Sequence, residues 1–326
     1  MRFILFVLVA MSFACTSTPS KIKYNKNLDG YSYPFPVQTF EFKSQKQDVH
    51  MAYMDLNSSS KQVIVLLHGK NFAGYYWDFI AKDLVDKGYR VIIPDQIGFG
   101  KSSKPKHYQY SFYQLAHNTI ELLNSLSVES FTIIGHSMGG MLATHLTYYQ
   151  PNRVKKLVLL NSIGLEPYLQ FTYFKDPEFF YNSEVSKTPV KMRNYQKKNY
   201  YDGKWEDAYE KLLIPHIGQM NHSDWKIVAW HNALTYGPIF NEDITSKMAS
   251  IGVPTRIING TRDRTGPGRG WKKDLNAKLG QYENLGKETQ RRFPNAKLYE
   301  LSGLGHMPHY EDYERFKKVF FKALVE

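Results

Sequence analysis

Residues 131–145 contain the sequence feature that most constrains the fold of this chain. The apolar run at positions 131–134 favours a buried strand, and the sequence GHSMG follows it directly, before a helix-compatible segment. A serine between two glycines at such a junction predicts a sharp strand-to-helix turn that exposes the Ser137 hydroxyl. Gly135 and Gly139 suit that turn, because a Cβ at either position would collide with the strand or helix packed across it.

Predicted strands and helices alternate on both sides of this turn. Continuous apolar runs, which are typical of strands covered on both faces, include Gln62–Leu67 and Arg90–Pro94. Gln38–Lys43 and Val49–Asp55 instead alternate apolar and polar residues and predict an antiparallel opening pair. Later strands are predicted at Val154–Leu160, Pro254–Asn259 and Ala296–Leu301. The pattern predicts an α/β fold with a mostly parallel sheet flanked by helices.

Residues 165–250 interrupt this alternation between two predicted strands. The segment is rich in tyrosine, phenylalanine and tryptophan, which stand among charged residues at helix-like spacing. We expect most of these aromatic side chains to form the segment's own core and only a few to face a substrate.

The GHSMG sequence, with a strand before it and a helix after it, resembles the G-x-S-x-G nucleophile elbow of the α/β-hydrolase superfamily. The resemblance covers the chain from about residue 38 onward. It implies an α/β-hydrolase core formed by residues 35–164 and 251–326. It also implies that residues 165–250 are an inserted helical lid over the end of the sheet where active sites lie.

A serine hydroxyl becomes a good nucleophile when a base takes its proton and a third group orients that base. The resemblance implies that His306, on a glycine-rich loop after the last strand, is the base of Ser137. It implies that Asp263, on the loop after the strand Pro254–Asn259, orients His306. The order serine, aspartate, histidine agrees with the superfamily.

Two neighbouring residues compete for these roles. His309 is the local alternative to His306, but it stands inside the start of the final helix. Some superfamily members carry the acid one strand earlier, and Glu166 is the nearest carboxylate there. The pair His306 and His309 has no further ligand in a recognisable zinc pattern, so we expect no metal site.

The reaction also needs hydrogen-bond donors for the oxygen that becomes negative at the attacked carbonyl. The backbone amide of Met138 lies at a predicted helix N-terminus, where the helix dipole favours an anion. The resemblance places the second donor in the turn after His68, with the Lys70 amide as first choice and Asn71 next. No metal or organic cofactor is expected.

These residues predict a serine hydrolase that cleaves an ester or related acyl bond of a small, hydrophobic substrate through an acyl-enzyme. The same residues also serve carbon–carbon bond hydrolases, lactonases and acyltransferases, and these alternatives stay open. Ser137 argues against epoxide hydrolases and haloalkane dehalogenases, which resemble this fold but use aspartate at the elbow. A different class of function is a ligand-binding protein on the same fold without turnover.

The chain is basic, with a formal net charge of +12 and a pI of about 9.4. Such a charge favours anionic partners, either nucleic acid or a membrane surface. Because no zinc-finger spacing or RNA-binding aromatic pattern accompanies it, we interpret the charge as a solvated surface and expect no nucleic-acid partner. The sequence leaves the oligomeric state open.

Residues 1–14 predict a secretory signal peptide, with one positive charge at Arg2, an apolar run and small residues near its end. Cys15, the only cysteine of the chain, follows directly. This arrangement resembles the lipobox of bacterial lipoproteins, although Ser12 stands where that family usually has leucine. It implies an exported protein that is lipid-anchored at the bacterial cell envelope through Cys15; ordinary secretion is the alternative. Residues 15–34 are predicted to be a polar tether.

Overall fold

The computed structural model describes residues 21–326, so the predicted signal peptide and Cys15 lie outside the described residues. Within this part of the chain, strands and helices alternate as the sequence predicts. The strands are β1 (Gln38–Ser44), β2 (Gln47–Leu56), β3 (Val63–Leu67), β4 (Arg90–Pro94), β5 (Phe131–His136), β6 (Val154–Leu160), β7 (Thr255–Gly260) and β8 (Ala296–Leu301).

These strands form one sheet in the order β1-β2-β4-β3-β5-β6-β7-β8. The predicted antiparallel opening pair is confirmed, with Gln38 of β1 opposite Tyr53 of β2, and β2 also runs antiparallel to β4. The strands β4, β3, β5, β6, β7 and β8, in this spatial order, run parallel to one another. The carboxyl ends of β3, β5, β6, β7 and β8 therefore meet at one edge of the sheet, where parallel sheets bind ligands.

Helices cover both faces of the sheet. The α-helices are α1 (Asp78–Asp86), α2 (Phe112–Ser125), α3 (Met138–Tyr149), α4 (Tyr168–Phe171), α5 (Pro177–Val185), α6 (Pro189–Asn199), α7 (Asp207–Met220), α8 (Trp225–Leu234), α9 (Tyr236–Asn241), α10 (Tyr282–Arg292), α11 (Pro308–Glu311) and α12 (Tyr313–Val325).

Alternate residues of β3 show how the two faces are covered. Val65 and Leu67 belong to the apolar cluster of α2, α3 and α10, whereas Ile64 and Leu66 belong to that of α1 and α12. Every residue of β3 is buried. A strand covered on both faces must be apolar throughout, which is the pattern that the sequence shows.

The chain between β6 and β7 forms helices α4–α9, which we call the helical insertion. Several of its aromatic side chains pack on one another, as the composition predicts: Phe180 stacks on Tyr236 with ring centroids 4.2 Å apart, and Tyr201 stacks on Tyr209 at 3.7 Å. Among the helices that the structure describes, none is both long and apolar enough to cross a membrane.

Residues 21–34, which we call the N-terminal strap, pack against the domain although the sequence predicts a polar tether there. The amide of Tyr24 donates a hydrogen bond to the carbonyl of Gly218 in α7 (3.0 Å), and Leu28 is only 2% exposed. The Tyr33 hydroxyl donates to Asp95 Oδ2 (2.6 Å) at the end of β4. The strap therefore contacts both the helical insertion and the core of the sheet.

Replacing Tyr33 with phenylalanine should lower the free energy of unfolding by about 1 to 3 kcal/mol, because the buried Asp95 carboxylate loses a hydrogen bond. Urea unfolding of the purified protein measures this change. Tyr113→Phe is the matched control, since Tyr113 is 57% exposed, and it should change stability by less than about 0.5 kcal/mol. Equal stability of the two variants would show that the hydrogen bond from Tyr33 to Asp95 does not stabilise the folded state.

Candidate active site

The predicted strand-to-helix turn is present between β5 and α3, with Ser137 at its apex. Ser137 has φ 56° and ψ −121°, a backbone conformation that a residue with a side chain adopts only at a cost. A Cβ on Gly135 would overlap the backbone of Gly139, and one on Gly139 would overlap the carbonyl of Leu67. Glycine at both positions therefore lets α3 start directly against β5 and β3.

Asp263 and His306 lie in hydrogen-bond contact after the ends of β7 and β8. His306 Nδ1 donates to Asp263 Oδ2 over 2.7 Å, and both side chains are buried. Because the carboxylate accepts only, the ring proton is on Nδ1, which leaves Nε2 free to accept a proton.

Three donors compensate the burial of Asp263. Burial alone would raise the pKa of Asp263, but the charge and hydrogen bond of His306, together with donors from Asn161 and Thr265, lower it below its usual value. The Thr265 amide donates to Asp263 Oδ1 over 2.7 Å. The carboxylate is therefore held ionised where it meets the imidazole.

Asn161, directly after β6, is a part of the site to which the sequence analysis assigned no role. Its Nδ2 donates to Asp263 Oδ2 (2.8 Å) and to the carbonyl of Gly305 (3.3 Å), and its Oδ1 accepts from the Gly260 amide (3.1 Å). The side chain thus joins the ends of β6 and β7 to the loop of His306. A polar residue directly after a buried strand was the available signal.

A chain of hydrogen bonds joins the turn after β3 to the loop of His306. The Gly69 amide donates to the Tyr76 hydroxyl (2.9 Å), which in turn contacts His136 Nδ1 (3.0 Å). His136 Nε2 lies 2.9 Å from the carbonyl of His306, which can only accept, so Nε2 carries the proton and Tyr76 donates to Nδ1. Burial lowers the pKa of His136 well below its usual value, which agrees with a neutral ring.

The two alternative residues lie in different surroundings. His309 is 1% exposed and stacks on Trp77 with ring centroids 5.6 Å apart; within residues 21–326 neither of its ring nitrogens has a hydrogen-bond partner. Burial, followed by the charge of His306, lowers the pKa of His309 to about 3. Glu166 Oε1 accepts from the Gly280 amide (2.8 Å), and in the described part of the chain no hydrogen bond joins Glu166 to His306.

The predicted donors for a negative oxygen lie beside Ser137. A Cβ on Gly69 would come within 3.0 Å of Ser137 Cβ, so the turn that contains Lys70 directly adjoins the serine. In the described part of the chain, the amides of Lys70, Asn71 and Met138 donate no hydrogen bond. All three amides are therefore available, and the choice between Lys70 and Asn71 stays open.

A cavity of about 500 Å³ opens over Ser137, between the carboxyl edge of the sheet and the helical insertion. The Ser137 side chain reaches it, while His306 is 2% exposed behind the ring of Tyr200, whose centroid is 4.8 Å from the imidazole. The aromatic side chains that line the cavity come from different elements of the fold. They are Phe72, Tyr195, Tyr200, Tyr236 and Trp271. Within residues 21–326, no three histidine, cysteine or acidic side chains are placed to hold a metal ion.

Comparisons with known proteins agree with this geometry. A family model described as an alpha/beta hydrolase fold matches residues 62–313. The solved structure of a probable hydrolytic enzyme from Pseudomonas aeruginosa PAO1 is similar to this chain, with a TM-score of 0.90 and 39% identity, over 93% of this chain and 98% of that one.

Two named proteins are similar to this chain at the level of sequence. AB hydrolase superfamily protein YfhM of Bacillus subtilis is 28% identical over 264 residues, which are 76% of this chain and 85% of that protein. A 2-hydroxy-6-oxononadienedioate/2-hydroxy-6-oxononatrienedioate hydrolase of Pseudomonas putida is 26% identical over 285 residues, 85% of this chain and 92% of that protein. With its sheet order and its serine turn, the chain belongs to the α/β-hydrolase family.

Proposed function

We propose that this member of the α/β-hydrolase family is a serine hydrolase that cleaves an ester or related acyl bond of a small substrate. The observation that carries the proposal is the placement of Ser137 at a positive φ angle on the floor of the cavity, beside free backbone amides. The bonded pair of Asp263 and His306 supplies an oriented base at the same edge of the sheet.

In the proposed reaction, His306 Nε2 takes the proton of Ser137 while Oγ attacks the acyl carbon. The oxygen that becomes negative is stabilised by the amides of Met138 and Lys70. Asp263 stabilises the imidazolium without accepting its proton. His306 then protonates the leaving group, and the collapse of the intermediate leaves an acyl group on Ser137.

Water completes the cycle through the same groups. His306 Nε2 takes a proton from the water as it attacks the acyl carbon, and the released Ser137 oxygen receives that proton back. Every proton that the reaction moves passes through one ring nitrogen, because Asp263 occupies the other. The residues that carry out these steps are all supplied by this chain, and the steps use no cofactor.

A carbon–carbon bond hydrolase is the second candidate. The relative from Pseudomonas putida supports it, because that protein is named as a hydrolase of 2-hydroxy-6-oxononadienedioate and aligns with 85% of this chain. The same serine, histidine and free amides would serve both reactions, so the two candidates differ in the substrate that the cavity accepts.

Ser137→Ala should lower the rate of hydrolysis of chromogenic esters, from acetyl to decanoyl, by about four orders of magnitude, because the nucleophile is removed. Ser183→Ala is the matched control, since Ser183 lines the same cavity without lying at the turn, and it should stay within a few-fold of wild type. A wild-type protein that hydrolyses none of the esters and resists a serine-directed fluorophosphonate would contradict the proposal.

Asp263→Asn should lower kcat by roughly three to four orders of magnitude, because the amide no longer holds the imidazole in the required tautomer. Glu166→Gln should keep most of the activity, since Glu166 bonds to the Gly280 amide instead of to His306. If Glu166→Gln were the inactive variant and Asp263→Asn the active one, the assignment of the acid would be wrong.

A pH series adds a second readout for Glu166. Burial raises the pKa of Glu166 to about 7, although the Gly280 amide opposes this shift. Between pH 4.5 and 7 the folded protein holds a proton that the unfolded chain releases, so stability falls as the pH rises through this window. Urea unfolding should therefore show Glu166→Gln equal to wild type near pH 4.5 and more stable at pH 8, by on the order of 3 kcal/mol.

We further propose that the protein is exported and lipid-anchored at the cell envelope through Cys15, on the strength of the sequence of residues 1–15. Cys15→Ala should move the protein from the membrane fraction to the soluble fraction of the producing bacterium, because the acylated thiol is lost. Ser17→Ala serves as the control and should fractionate as wild type does. A Cys15→Ala protein that stays with the membranes would contradict the anchor.

A further inference from the structure

Four cationic side chains line the cavity over Ser137, and no aspartate or glutamate among the described residues lines it with them. The four are Lys70, Lys187, Lys191 and Arg269. They come from the turn after β3, from the segment between α5 and α6, from α6 itself, and from the loop after β7. Separate elements thus bring positive charge to one space that also holds the serine.

One carboxylate, Glu184, lies behind this lining and contacts two of the four cations. Lys70 Nζ is 3.1 Å from Glu184 Oε1, and Lys187 Nζ is 2.5 Å from Oε2. Although burial alone would raise the pKa of Glu184, the two lysines lower it to about 2, so its charge is retained. Because one carboxylate lies between two ammonium groups, the group of Lys70, Glu184 and Lys187 keeps a net positive charge.

Lys191 and Arg269 have no such partner. Within residues 21–326, no carboxylate lies within 4.0 Å of either side chain, and their hydrogen bonds go to neutral oxygens. Lys191 Nζ donates to the carbonyl of Ser186 (3.2 Å), and Arg269 Nη2 donates to Asn199 Oδ1 (3.1 Å). Both residues are exposed at the outer part of the cavity, where their remaining N–H groups are available to a ligand.

The burial of Lys70 distinguishes this cluster from the general basic surface of the protein. The Lys70 side chain is only 8% exposed, and its ammonium group lies 4.1 Å from the ring centroid of Tyr236. Burial lowers the pKa of Lys70 to about 8, against the opposing charge of Glu184. A solvated surface lysine needs no such surroundings, so this cation is part of the built wall of the cavity.

The rest of the lining includes the aromatic side chains of Tyr195, Tyr200, Tyr236 and Trp271, with apolar Ile163, Met192 and Ile239 beside them. A ligand that matches both properties has an apolar body and an anionic end. We propose that the cavity takes an acyl substrate that carries an anionic group, a carboxylate or a phosphate, away from the bond that Ser137 attacks. Arg269, Lys191 and Lys187 bind this group; the inference rests on the proposed hydrolase function and names its substrate class.

The first experiment compares two esters of equal length, 4-nitrophenyl pentanoate and mono-4-nitrophenyl glutarate. The kcat/KM of wild type for the glutarate ester should exceed that for the neutral ester by roughly ten- to a hundredfold, the range of one or two charge-assisted hydrogen bonds. The preference should shrink as salt is raised, since Arg269 and Lys191 are exposed.

Variants then assign the preference to the cavity. Arg269→Gln and Lys191→Gln should each lower the ratio of the two kcat/KM values by about tenfold. Lys197→Gln is the matched control, because Lys197 is exposed on the same helix as Lys191 but does not line the cavity, and it should keep the wild-type ratio.

The inference would be overturned if the wild-type kcat/KM for the glutarate ester did not exceed that for the pentanoate ester. If Ser137→Ala still inactivated the enzyme, the hydrolase function would remain intact. If neither ester is hydrolysed, calorimetry with glutarate and with inorganic phosphate decides the inference separately, while the full ester series and the fluorophosphonate decide the hydrolase function. Binding of glutarate, of phosphate or of both would support an anion site if the binding is lost in Arg269→Gln. The anion that binds then identifies whether the site takes a carboxylate, a phosphate or either group. Absence of binding by both anions would overturn it.

Discussion

The close approach of three backbone segments around Ser137 is the constraint on which the rest of the site depends. Glycine at 135 and 139 lets α3 begin against β5 and β3, and Gly69 lets the turn after β3 lie against the serine. Once these segments touch, the turn that contains Lys70 and Asn71 and the start of α3 at Met138 both lie against Ser137. The positive φ angle makes the backbone conformation of Ser137 unfavourable, and the packing of the surrounding sheet stabilises it.

Parallel strands explain why residues far apart in sequence reach the same place. Asn161, Asp263 and His306 follow three neighbouring strands, β6, β7 and β8, at their carboxyl ends. The sheet therefore sets the distances among them before any side chain interacts. What the side chains add is charge compensation, because a carboxylate as buried as Asp263 stays ionised only with donors on both of its oxygens.

The sequence predicts the parts of this molecule that follow from local patterns. The strands, the serine turn and the positions of Asp263 and His306 after strand ends are all visible as short motifs. The contacts of Asn161 could not be predicted, because they join two strand ends and a loop. The same holds for the cationic lining, since Lys187 and Arg269 line one cavity only in the folded chain. It also holds for the strap, because its polar composition gives no sign that Leu28 is buried.

The hydrogen bonds from Gly69 through Tyr76 and His136 to His306 run in a single direction, each group donating to the next. Only a neutral imidazole in one tautomer can stand in the middle of such a series, since it must accept on one nitrogen and donate on the other. The turn after β3 and the loop of His306 are therefore held in register by hydrogen bonds within the protein itself. A site held in this way needs little rearrangement of the two segments when a ligand binds, so the free energy of binding can go into orienting the ligand.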